Sequence, residues 1–82
     1  MVIQYLTLQD IPRLREKIDP DNKWYTDDEL KKILALSAFQ LNMTVSRCFL
    51  GIQQRARVQS DGQSIVWARN QLNRFEAGVL VI

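Results

Sequence analysis

Asp27-Asp28-Glu29 is the densest run of potential acid–base groups in the chain. Paired carboxylates catalyse proton transfer when both point into one cleft in different protonation states. Adjacent residues on a first helical turn point in different directions instead. Here they follow Thr26, and Thr26 with Glu29 forms a capping box, in which the hydroxyl takes an orphan backbone N–H and the glutamate reaches back. Their charge also complements the positive end of the helix dipole, so position alone accounts for them. A second acidic run, Asp19-Pro20-Asp21-Asn22, has the opening of a calcium loop but lacks its glycine and distal glutamate. With no histidine and a single cysteine, Cys48, the chain has no Ser-His, Cys-His or zinc-type site and no internal disulfide. A glycine-rich phosphate loop is also missing. The expectation is a protein that is not an enzyme, with no cofactor and no metal.

The arginines are the other candidates. Arg47, Arg55, Arg57, Arg69 and Arg74 are dispersed over the second half as DNA-facing or charge-pairing groups. The net charge of +2 hides an asymmetry. Residues 1–30 carry seven acids against four bases, and residues 31–82 carry seven bases against two acids, Asp61 and Glu76. No acid lies between Glu29 and Asp61. Such a split suits a basic face for nucleic acid, a charge-complementary contact between copies, or two ordinary solvated faces.

These side chains need elements to hold them, and 82 residues allow one domain. At 46% hydrophobic and 24% charged the composition is globular. No run of about 20 apolar residues exists to span a membrane, and the N-terminus lacks a signal-peptide pattern. Those features read as a reducing, cytosolic setting.

The expected fold is all-α, a small helical bundle around one long central helix over about 27–58, with short extended segments at both ends. The long helix starts at the capping box, flanked by the staple pair Tyr25 and Leu30. It meets no breaker before Gln59-Ser60-Asp61-Gly62, which gives roughly 45 Å of rod. Gly51 within it is expected to mark a kink or a close approach of another helix. A shorter helix is expected over about 11–18, capped at Asp10 so that Pro12 falls in the first turn. Asp61-Gly62 signals a turn, either of a hairpin joining Val58-Gln59 to Ser64-Ile65 or before a helix over about 64–77. Ile65, Ala68, Leu72 and Phe75 have the spacing for that helix, and Gly78 would stop it.

Laid out at 100° per residue, the long helix has two apolar faces. Leu30, Leu34, Ala38, Leu41, Val45, Cys48, Phe49, Ile52 and Ala56 fall within one sector of core-facing width. Leu36, Phe39, Met43 and Leu50 fall on the opposite side. The first stripe seats the two short helices, and the second is expected to meet another protein chain, because exposed apolar patches mark interaction sites. The alternative is that the helix over about 64–77 or the Val79–Ile82 segment folds over it. Trp24 and Trp67 are candidate interface anchors. Val79, Leu80, Val81 and Ile82 form an extended segment that must pair with something.

One resemblance joins these features. Tyr5-Leu6-Thr7-Leu8, Asp10-Ile11, Asp19-Pro20-Asp21 and Tyr25-Thr26-Asp27-Asp28-Glu29-Leu30, followed by a long alanine- and leucine-bearing helix, resemble the small head–tail connector (adaptor) proteins of tailed bacteriophages. The likeness covers about residues 5–58. It implies a structural subunit of a homo-oligomeric ring, twelve-fold in copy number, placed at the head–tail joint of the virion after synthesis in the host cytoplasm. Its partners would be the portal protein and a tail-completion protein, with DNA in the lumen and no sequence-specific contact. A small, dimeric, helical DNA-binding or regulatory module is the alternative.

Overall fold

The computed structural model describes residues 2–82. Among these, four α-helices follow one 3-10 turn: α1 spans Ile11–Ile18, α2 Asp27–Leu36, α3 Leu41–Val58 and α4 Gly62–Glu76. The all-α class holds, but the single rod over 27–58 does not. It is split into α2 and α3 by Ser37-Ala38-Phe39-Gln40.

The break has a physical reason that helical periodicity does not carry. A rod of roughly 45 Å would outreach the molecule, whose longest dimension is 36 Å, leaving Leu30 and Leu34 without a core. Broken, the chain folds α2 back along α3 as a helical hairpin, and Glu29 comes within 2.7 Å of Arg55. Ser37 starts the bend, its buried hydroxyl donating to the Ile33 carbonyl at 2.7 Å, a bond that competes with the helical ladder. The Phe39 N–H then reaches the Leu34 carbonyl at 2.9 Å, the six-to-one closure of a helix C-cap. That closure puts Ala38 at φ 52° and Phe39 at φ 58°. Left-handed conformations cost a non-glycine residue about 1–2 kcal/mol each.

The N-terminal segment secures the bend. Leu6 donates its N–H to the Phe39 carbonyl at 2.7 Å, and Leu41 donates to the Gln4 carbonyl at 2.9 Å, so Tyr5 and Gln40 form an isolated antiparallel bridge. The expected extended start is therefore tied to the chain's own hinge.

The other boundaries follow local chemistry. Asp10 holds the N-cap position of α1 with Pro12 in the first turn, where the missing N–H costs nothing. It makes no cap bond to that helix: its carboxylate accepts from the Thr7 N–H at 2.8 Å and closes the 3-10 turn instead. Thr26 accepts from the Glu29 N–H at 3.1 Å, and Glu29 accepts from the Thr26 N–H at 3.1 Å, completing the capping box. Asp61 caps α4 by accepting from the Ser64 N–H at 3.1 Å. α4 thus starts at Gly62, two residues before the expected position and with no hairpin ahead of it. Gly78, at φ 78°, follows its end.

The core joins Leu14 and Ile18 of α1, Leu30 and Leu34 of α2, Val45, Cys48, Phe49 and Ile52 of α3, and Ala68 of α4. Most of the first stripe lies there. Ala38 is the exception, exposed because the break turns it outward. Thr44 of α3 is buried, with its hydroxyl donating to the Gln40 carbonyl at 2.7 Å.

Candidate interaction surface

The link between α1 and α2 is held by one carboxylate. Asp19 is 2% exposed and accepts from the backbone N–H groups of Lys23, Trp24 and Tyr25 at 2.8–2.9 Å. Arg15 adds a contact to Asp19 at 3.3 Å and bridges on to Asp27 at 2.8 Å. The run with the opening of a calcium loop is thus a turn whose first carboxylate is spent on the backbone.

Tyr25 leaves that turn and lies on α3. Its hydroxyl donates to the Cys48 carbonyl at 2.6 Å, and a Cβ added at Gly51 would collide with the same hydroxyl. Gly51 therefore marks a close approach, made by an aromatic ring rather than by another helix. Burial raises the Tyr25 phenol far above its ordinary value, with Cys48 adding to the effect. Burial likewise pushes the Cys48 thiol up to about 12. Arg55 stacks over the Tyr25 ring at 4.5 Å, donates to the Trp24 carbonyl and pairs with Glu29. The Thr26 N–H, and then Arg55, hold the Glu29 carboxyl below its ordinary range.

The sequence-derived residues divide accordingly. Arg55 spends its charge inside its own chain. Arg47, Arg57, Arg69 and Arg74 are exposed and have no ion-pair partner among the described residues. Trp24 is buried in its own core with Lys23 over its ring at 4.8 Å, which leaves it little surface for a partner. Trp67 is 38% exposed, its ring edge-on to Phe49 at 5.9 Å. Leu80 and Ile82 pack on the core, whereas Val79 and Val81 face outward.

The second apolar stripe is broken up by the hinge. Phe39 turns half-buried onto the core. Met43 lies on a shallow patch with Asn42, Ser46 and Arg47. Leu36 and Leu50, 69% and 54% exposed, line an open groove along the α2–α3 hairpin with Ile33, Val58, Tyr25 and Gly51, and Arg47, Gln54 and Arg55 complete its lining. On a continuous wheel Val58 falls about 40° from Leu36 and so beside the second stripe, whereas Ile33 falls about midway between the two stripes and was not legible as part of this surface. The i, i+3 spacing of Ile33 and Leu36 on α2 alone was the available signal.

The groove is lined by apolar side chains with Arg47 at its edge and Arg55, whose charge Glu29 already takes up. It offers apolar packing surface and the charge of Arg47. No helix among the described residues is long and apolar enough to cross a membrane. Comparison with family models, curated proteins and solved structures finds no match to this chain.

Proposed function

We propose that this protein is a non-enzymatic assembly subunit whose α2–α3 groove receives a neighbouring chain. One observation carries the reading: Leu36, Leu50 and Val58 stand in water along a single groove. Burying each would contribute up to about 1.5–3 kcal/mol, which offsets part of the cost of bringing copies together. The resemblance in residues 5–58 gives that assembly its form. It is a ring-forming head–tail connector of a tailed-phage virion, twelve-fold, between portal and tail-completion protein, with DNA passing through the lumen.

Native mass spectrometry of the chain, alone and mixed with a portal ring, tests this. Closed oligomers of the chain and their capture by the portal are the expected result. A chain that stays monomeric at every concentration and ignores the portal refutes it.

The exposed, unpaired Arg47, Arg57, Arg69 and Arg74 support a second reading, a helical DNA-binding module. Its mark is duplex affinity that falls steeply with salt and with Arg57→Ala. Failure to shift DNA at low salt removes it.

A further inference from the structure

The four residues between α2 and α3 are at odds with their own composition. Ser37-Ala38-Phe39-Gln40 contains neither glycine nor proline, and the helical spacing of Leu30, Leu34, Ala38, Leu41 and Val45 runs straight through it. Yet Ala38 and Phe39 sit consecutively in the left-handed region. Two backbone hydrogen bonds from the N-terminal segment, at Phe39 and Leu41, hold them there. Straightened, the segment would exchange those bonds for helical ones and release both residues from left-handed φ.

The part of the chain ahead of the hinge is a unit. Arg15 ties α1 to the start of α2, and Asp19 holds the turn between them through three backbone N–H groups. This arm meets α3 through specific contacts: Tyr25 to the Cys48 carbonyl, Arg55 to Glu29, and Arg55 to the Trp24 carbonyl.

We propose that residues 37–40 are an exchange hinge, which straightens so that α2 and α3 merge into one rod and the α1–α2 arm seats on the α3–α4 pair of a second copy. The occupant follows from the contacts. A second copy offers the arm the same Cys48 carbonyl, the same Arg55 with its charge complementary to Glu29, and the same apolar core. Exchange of identical elements between protomers keeps every one of these contacts. The open form cannot remake these contacts within one chain, because merging α2 and α3 into one rod carries Tyr25 and Glu29 away from their own Cys48 and Arg55 by roughly 1.5 Å per intervening residue. This inference rests on the reading of the chain as an assembling subunit and specifies how copies are joined.

The test is an electron–electron distance within one chain. Asp28→Cys and Arg57→Cys, both at exposed positions, carry spin labels in a chain diluted with excess unlabelled protein, and monomer and oligomer fractions are measured separately. The closed hairpin keeps the labels near each other, as the Glu29–Arg55 contact requires, whereas the merged rod sets the backbones roughly 44 Å apart. The long distance is expected in the oligomer fraction. Ala38→Gly, which favours the bent form, should cut its population on the order of tenfold. Oligomers showing only the short distance overturn the exchange and leave the ring reading standing. Absence of any oligomer at any concentration overturns both.

Discussion

Tyr25, Gly51 and Cys48 show how one aromatic side chain dictates its neighbours. The phenol needs a partner once buried, the Cys48 carbonyl supplies it, and the approach leaves no room for a Cβ at Gly51. Gly51→Ala should therefore destabilise the fold by about 1–3 kcal/mol through overpacking. Tyr25→Phe alone should cost about 1 kcal/mol for the lost hydrogen bond. Combined, the two should cost less than their sum, since the phenylalanine frees the space that the alanine needs. Urea denaturation of the three variants checks this, and simple additivity would deny the steric account. The same site sets an alkaline limit. The folded pKa of Tyr25 and of Cys48 is raised, so the unfolded chain releases those protons first. Their contribution is complete below about pH 9, the ordinary thiol range, and is lost as pH rises toward the folded values. Stability measured from pH 8 to 11 should fall, and Tyr25→Phe should flatten the slope. Cys48 itself was legible from its place on the apolar stripe. The Tyr25 contact was not, because twenty-three residues separate hydroxyl and carbonyl.

Among the elements, the hinge departs most from its own sequence signals. Ala38 at φ 52° occupies a position where glycine would carry no steric penalty. Ala38→Gly should stabilise the bent form by up to about 1 kcal/mol, less the extra freedom it gives the unfolded chain. The midpoint of thermal unfolding should then rise by a few degrees, and a fall would show that the left-handed turn carries no strain. The start of α2 at Thr26 was readable because a cap is a local bond among residues three apart, and that of α1 because Pro12 is tolerated only in a first turn. The stop at Leu36 was unreadable for the opposite reason. Its determinants are a strand-like contact from Gln4 and Leu6, more than thirty residues upstream, and the need of Leu30 and Leu34 for a core.

At the scale of the whole molecule, apolar surface and charge point toward contact between copies. Leu50→Asp should remove the groove contact and reduce assembly to arm-exchanged pairs at most, while leaving helicity and unfolding midpoint nearly unchanged, because the side chain is 54% exposed. Gel filtration with circular dichroism reads both, and an intact oligomer would acquit the groove. The charge split is partly consumed within the chain where Glu29 meets Arg55, whereas the Lys23–Asp61 pair at 3.3 Å takes a minority charge from each side and leaves the split standing. Glu16, Asp21 and Asp28 on the acidic side have no ion-pair partner among the described residues, nor do Arg47 and Arg57 on the basic side. Association driven partly by these groups should weaken between 50 and 500 mM salt. Salt-independent assembly would assign the contact to apolar packing alone.

Sequence by itself determined the all-α class, the span of α1, the start of α2, the body of α3 and most of the core, since helical period and caps act over three or four residues. It also marked Leu36 and Leu50 as apolar positions facing away from the main stripe. Only the tertiary structure decided that the central helix bends, that Phe39 turns inward, and that Trp24 and Arg55 serve their own chain. Those outcomes depend on the fit of a rod into a small volume and on contacts between distant segments, which local periodicity does not encode.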